Sequence, residues 1–327
     1  MPKPLFQAMA AVIALAFAAP TALAQSDYPR RTITLIVPFA AGGPTDVISR
    51  IASEHMSRTL GQQIVVENVV GAGGTTASAR AAQSAPDGYT IEMGHMGTHA
   101  ASVALYPNLA YRPDVDFAPI GMVAGTPVLI VAKKDFPATD LKEFVSYVKA
   151  NVDKLNMAHA GVGSVSFTTC LLLNHILQVK PTSIPFNGTG PALTALIGGQ
   201  VDYMCDQIVN LVQQINSGQI NAYAIGTRER SPALPNVPTS REAGLPEFEA
   251  QAWNALFAPA GTPKPILEKL AAALDKALDD ESTRKRLLEL GSVLPEKPQR
   301  GQAPLLALVK GEIARWTPII RAAQATN

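Results

Sequence analysis

The sequence is poor in the side chains that usually announce chemistry. Its 327 residues include two cysteines and five histidines. No Gly-x-Ser-x-Gly elbow and no His-Glu-x-x-His pair occurs, so hydrolysis has little support. Its nearest candidates are Ser164 or Ser166 with His99 or His159. His95 and His99, in "GHMGTHA", have a spacing that suits a metal, but their loop follows a strand, and lining a cleft is the expected role. Charge is scarce too. Only 16% of residues are charged and the formal balance is +1, which leaves no footprint for nucleic acid or an anionic membrane surface. Apolar residues reach 47%, so low charge does not mean disorder. The chain is long enough for two α/β domains, or one large one, with filled cores.

Beyond the N-terminus no stretch is apolar enough to span a bilayer. The N-terminus itself has the form of a secretory signal peptide. Lys3 supplies a basic start, "LFQAMAAVIALAFAA" an apolar run, and Ala22-Leu23-Ala24 a small-x-small site, which predicts cleavage after Ala24. As a membrane anchor the run is too short, Pro20 closes it, and no cysteine stands at the junction for a lipid. An exported protein works away from nicotinamide nucleotides and ATP, so no cofactor is expected. Export also permits a disulfide between Cys170 and Cys205, although two unpaired buried cysteines fit the sequence equally well.

From Thr32 onward short β-rich runs alternate with amphipathic stretches. Strands are expected at "TITLIV", "QIVVENV", "YTIEMG", "PVLIVAKK", "LNMAHA", "TSIPF", "VDYMCD" and "AYAIGT". Helices are expected at 45–60, 75–84, 139–150, 166–178, 191–198, 208–217, 263–280, 281–290 and 303–324. The alternation predicts an α/β fold of mostly parallel sheets with helices on both faces. Two segments, 115–135 and 248–266, read as crossings between domains. That gives one lobe of 25–125 plus 251–327 and another of 126–250, joined by two crossover strands with a cleft between them. A single large sheet stays open as the alternative.

The chain writes nearly the same word twice. "PFAAGGP" (38–44) and "PFNGTGP" (185–191) each leave a strand and enter a helix. A helix N-terminus offers unpaired N–H groups and the positive end of its dipole, so each turn suits an anion without any lysine or arginine. Pro44 and Pro191 fit the first helical turn, where a missing N–H costs nothing. A phosphate-binding loop would need lysine where Pro44 stands. "GAGGTT" (71–76) and "GVGSVS" (161–166) lack the full dinucleotide fingerprint and read as auxiliary loops. Ser164 and Ser166 there suit N-capping or ligand contact equally. Asp46 sits in a first helical turn, where the dipole alone explains an acid. Asp206 ends a strand, where open α/β folds place ligand contacts, and is expected as a contact or a loop-orienting residue. Phe39 and Phe186 open the two turns, either as cleft walls or as core.

Taken in order, "YPRRTITLIVPFAAGGPTDVISR", "LGQQIVVENVVGAGGTTASARAAQSAPDGYTI", "NGTGPALTALIGGQVDYMCD" and "SPALPNVPTSREAGLPEFEAQAWNALFAPAGTPKPI" resemble one family along nearly the whole mature chain. These are the periplasmic substrate-binding proteins of tripartite tricarboxylate transporters, the TctC-like or Bug group. The resemblance implies a two-lobed, type II-like Venus flytrap, not an enzyme, that closes on a small organic carboxylate, mono- or dicarboxylate. It implies a periplasmic monomer with integral-membrane partners (TctA- and TctB-like). It also carries a site onto this chain. Phe39, Ala40, Ala41, Gly42, Gly43, Thr45 and Asp46 form one jaw, and Asn187, Gly188, Thr189 and Gly190 form the other. Gly97, Thr98, His99, Gly163, Ser164 and Asp206 complete it. This chain departs from the family's pattern at Asn187, where arginine or lysine is frequent, and at Cys205, where an aromatic or aliphatic side chain is.

Overall fold

The computed structural model describes residues 28–325, so the signal peptide read over 1–24 lies outside the described residues. The chain opens with β1 (Ile33–Val37), α1 (Pro44–Leu60), β2 (Ile64–Asn68), α2 (Thr75–Ala82) and β3 (Thr90–His95). A π-helical turn, Gly97–Ala101, leads into the short α3 (Ser102–Leu105) and then the long β4 (Phe117–Lys133). Next come α4 (Leu141–Asn151), β5 (Asn156–His159), α5 (Val165–Leu177), β6 (Thr182–Pro185), α6 (Thr189–Ile197) and β7 (Tyr203–Gln207). A 3-10 turn, Ile208–Asn210, precedes α7 (Val212–Asn216) and β8 (Ile220–Ile225). The chain returns on β9 (Gln251–Pro259) and ends with α8 (Lys264–Asp279), α9 (Glu281–Glu289) and α10 (Gln302–Ala325).

The strands join in the order β2-β1-β3-β9-β4-β7-β5-β6, with β8 also on β4. Within β2-β1-β3 and within β6-β5-β7 the pairing is parallel. β9 lies antiparallel to β3, and β4 lies antiparallel to β9, β7 and β8. Both halves therefore follow one plan, in which three parallel strands are closed by an antiparallel crossing strand. The antiparallel sense has a simple cause: the chain enters the second half along β4 and comes back along β9. The two sequence readings merge here, because two lobes share one continuous path of strands through β4.

Residues alternate along the strands, and each face buries its own apolar set. In β1, Leu35 and Val37 face a core under α1, α6 and α8, while Ile36 faces one under α2, α4, α5 and α10. In β4, Leu129 and Val131 join the first core, and Val128 and Ile130 the second. Helices consequently cover both sheet faces. The helix expected over 208–217 is a 3-10 turn and five residues of α7, and the helical turns at 97–105 have no signature in the sequence, being too short to carry a period. α10 packs against β4, the π turn and α5, so it touches elements of both halves. Cys170 of α5 is disulfide-bonded to Cys205 of β7, with Cα atoms 5.2 Å apart, which ties a helix N-terminal segment to the strand that carries Asp206.

Candidate functional site

The two parallel trios run in opposite senses on either side of β4 and β9, and both end near the middle of β4, so their loops face each other between the halves, as ligand-binding loops do in open α/β sheets. The shared plan makes the loops comparable. "PFAAGGP" follows β1, whose counterpart in the second half is β5, so its equivalent is "AGVGSVS" and not "PFNGTGP". "PFNGTGP" follows β6 and corresponds to "GAGGTT" after β2. The repeated word is thus two independent solutions to a strand–turn–helix junction rather than an echo of the repeat.

Three of these junctions meet around one small cavity of ≈ 10 Å³, lined by Phe39, Gly43, Pro44, Thr45, His95, Ala160, Ser164, Val165, Ser166, Thr189, Asp206 and Gln207. It receives the N-termini of α1, α5 and α6. Their first N–H groups, at Thr45–Asp46, Val165–Ser166 and Thr189–Gly190, have no intrahelical acceptor. Gly43 and Gly188, the residues before α1 and α6, supply no side-chain cap. Ser164 caps α5 by accepting from Phe167 N–H at 3.1 Å. Among the described residues no lysine or arginine lines the cavity. Its positive potential comes from helix ends, which favours a carboxylate or similar anion held by neutral donors.

The acids of the site shape loops. Asp46 is buried, and its carboxylate accepts from Gly42 N–H at 2.9 Å, from Asn68 Nδ2 at 3.0 Å and from Arg50. Burial pushes its pKa up, but the hydrogen bonds from Arg50, Gly42 and Asn68 outweigh it and hold the group below the ordinary value. Asp46 therefore braces the first turn from behind. Asp206 does the same for the other jaw. Its oxygens accept from Thr189 Oγ1 and from Gln207 N–H, each at 2.7 Å. Burial raises it to about 6, against those two bonds.

Of the residues expected from sequence, Phe39, Gly43, Thr45, Ser164, Thr189 and Asp206 line the cavity. Ala41, Gly42 and Asn187 are exposed, and Ala40 and Gly190 are half-buried. Gly42 needs glycine for its φ of +80°, not for room, since a β-carbon there meets nothing within 4 Å. Gly97 and Gly163 sit at the seam between the halves, where a β-carbon on Gly97 would collide with Gly163 O. Thr98 is spent within its own turn, its Oγ1 accepting from His95 N–H at 3.2 Å and donating to His95 O at 3.3 Å. His99 lies in the core. Its ring stacks on Phe257 at 4.1 Å, and its Nε2 stands 3.9 Å from Glu92 Oε2. His159 Nδ1 accepts from Gly161 N–H, while Ser164 Oγ donates to Gly161 O, so no histidine–serine pair forms among the described residues.

Sequence reasoning missed Ala160, Val165 and Gln207 as lining residues, and it missed two seam residues altogether. Tyr106 Oη lies 2.6 Å from Val162 O and 2.8 Å from Ala72 O, and Asn210 reaches Gly42. A β-carbon on Gly73 would collide with Val162 O. The halves are shut against each other. Gln207 had a signal, since it follows Asp206 at a strand end, but Tyr106 and Asn210 carry none.

Comparison with known proteins fits this geometry. The chain matches the profile of the tripartite tricarboxylate transporter family receptor, TctC, over residues 48–324. A UPF0065 protein of Agrobacterium vitis is 43% identical over 299 residues, covering 91% of this chain and 86% of its own. Among solved structures, MatC of Rhodopseudomonas palustris with bound malate is 55% identical, with a TM-score of 0.88 over 90% of this chain and 100% of its own. The periplasmic binding protein BugD is 42% identical, with a TM-score of 0.87 over 91% and 99%. A further R. palustris protein, with adipate, is 31% identical, with a TM-score of 0.85 over 91% and 98%.

Proposed function

Because this chain belongs to the TctC family of tripartite tricarboxylate transporter receptors, we propose that it is a periplasmic solute-binding protein that captures a small organic carboxylate between its halves and delivers it to TctA- and TctB-like membrane subunits. One observation carries the reading: three helix N-termini from both halves converge on one cavity that no lysine or arginine among the described residues lines. Neutral donors suit a carrier, which must release its cargo as well as hold it. β4 and β9 form the hinge on this reading, dividing 25–125 with 251–327 from 126–250, and the monomer suffices for binding. Closure over the ligand shifts an open–closed equilibrium, and the closed form is what the membrane subunits recognise.

Thermal unfolding against a panel of mono- and dicarboxylates tests it. A true ligand at 100 to 1,000 times its dissociation constant stabilises the fold by about 3–4 kcal/mol. A panel in which no member raises Tm overturns the carboxylate reading.

A further inference from the structure

The two cysteines of the chain lie in its second half, 35 positions apart and fully buried, and the disulfide between them joins two elements of the binding end. Cys170 belongs to α5, whose N-terminal turn brings Ser164, Val165 and Ser166 to the cavity. Cys205 belongs to β7, which ends with Asp206 and Gln207. Side chains alternate along β7, so neighbouring residues hold opposite helices. Tyr203 and Cys205 face the core under α5, and Met204 faces the core under α6. Asp206 accepts from Oγ1 of Thr189, the first residue of α6, at 2.7 Å. One residue of β7 thus fixes α5 by a covalent bond, and the next fixes α6 by a hydrogen bond. The loop before α5 moves with its helix, since Ser166 Oγ accepts from Ala160 N–H at 2.9 Å and Ser164 Oγ donates to Gly161 O at 2.7 Å. The corresponding helix of the first half, α1, has no covalent tie. Its turn is held by Asp46 and Asn68 through hydrogen bonds alone.

We infer that the Cys170–Cys205 disulfide is a positioning device for the binding site: it holds the N-termini of α5 and α6 in register before any ligand arrives, so that the oxidised protein binds carboxylates more tightly than its dithiol form. The inference rests on the carboxylate reading above and adds to it a dependence on thiol redox state. The physical cause is pre-organisation. Helix ends that are already aimed cost no ordering on binding, whereas a helix free to slide over its strand is fixed only at the expense of affinity. The N–H donors are part of the helix, so a small slide of α5 displaces all of them together. Reaching the dithiol form takes two electrons and two protons, which an external dithiol such as dithiothreitol supplies while closing to its own disulfide. Both cysteines are buried, so that exchange waits for the core around them to open.

The test is calorimetric titration of malate, succinate, adipate and butyrate into the wild type, Cys170→Ala/Cys205→Ala and Leu274→Ala, at a temperature where circular dichroism reads all three as folded. Leu274→Ala is the control. It opens a void in the core under α8, in the first half, and lowers overall stability about as much as losing the disulfide does. The expected result is that the double variant binds the acids that the wild type takes about tenfold more weakly, while Leu274→Ala stays within about threefold. Amide exchange in the ligand-free proteins gives the local reading. Thr168 N–H and Ala192 N–H close the first turns of α5 and α6 onto Ser164 O and Gly188 O, and Val47 N–H closes that of α1 onto Gly43 O. The first two should exchange about tenfold faster in the double variant, with Val47 within about threefold of the wild type. A double variant that binds within about twofold of the wild type, an equal loss in Leu274→Ala, or equal acceleration at all three amides overturns the inference while sparing the carboxylate reading. Wild type that binds none of the four acids overturns both. Should the double-alanine chain fail to fold, Cys170→Val/Cys205→Ala, which refills the space of the sulfurs, takes its place under the same expectations.

Discussion

The side-chain amide of Asn210 donates to the main-chain oxygen of Gly42 at 2.6 Å, across 168 positions of sequence. Gly42 belongs to the turn after β1, and Asn210 to the 3-10 turn after β7, so the bond fastens one half of the protein to the other at the lip of the cavity. Tyr106 makes the corresponding tie to Val162 O at a second point of the seam. Both ties exist only when the halves are shut.

Asn210→Ala is therefore expected to weaken the closed form without unfolding the protein. A neutral side chain to main chain bond contributes about 0.5–1.5 kcal/mol. The Asn210 Oδ1 atom, however, is buried without a partner among the described residues, and losing it offsets part of that. A two- to fivefold loss of carboxylate affinity at unchanged unfolding cooperativity is the expected outcome by titration calorimetry. Asn210→Asp, which sets a carboxylate against Gly42 O, should cost more than Asn210→Ala, and the reverse order would contradict the latch.

Gly73→Ala should act on closure alone. Gly73 has φ +61°, and a β-carbon there would collide with Val162 O across the seam. The backbone strain is about 1–2 kcal/mol, small beside a whole domain's stability. Small-angle scattering should show the wild type compacting on ligand addition and the variant staying expanded, with affinity reduced at least tenfold. A variant that compacts like the wild type would show that the halves meet differently.

Glu92→Gln should stabilise the protein at neutral and alkaline pH. Glu92 is fully buried beneath the π turn, and burial pushes its pKa from 4.5 to about 8, against the hydrogen bond from Ser78 Oγ at 2.5 Å. A folded pKa above the unfolded one means that folding takes up a proton between about pH 4.5 and 8. Stability from this group is full below the unfolded value and is lost as pH rises through the folded one. Glutamine removes that dependence, keeps an acceptor for Ser78 and offers an amide to His99 Nε2, which has no hydrogen-bond partner among the described residues of the wild type. The gain is on the order of 3 kcal/mol at pH 7, and Tm measured from pH 5 to 9 should fall less steeply in the variant. Parallel curves would rule out Glu92 as the source.

The legible parts of this protein are those fixed within a window of some fifteen residues. Alternation along "TITLIV" and the junctions at Pro44 and Pro191 place strands, helices and turns because period and dihedral preference are local properties. The π turn at Gly97–Ala101 escaped because one turn has no period to read. The site was legible in outline, since Thr45, Ser164, Thr189 and Asp206 stand at strand ends or helix starts that the sequence marks. Within it, the order of strands decided the rest. His95 and His99 are four positions apart in one loop, yet one lines the cavity and the other stacks on Phe257, because the π turn carries the second ring back under the sheet. "PFAAGGP" and "PFNGTGP" look alike, yet they follow non-equivalent strands. By itself the sequence determined that glycine turns would present helix N-termini at strand ends, since those are backbone preferences of neighbouring residues. Only the tertiary structure decided which turns oppose each other, which polar ends are left over and where the halves lock, because those depend on contacts such as Asn210 with Gly42 that no local pattern encodes.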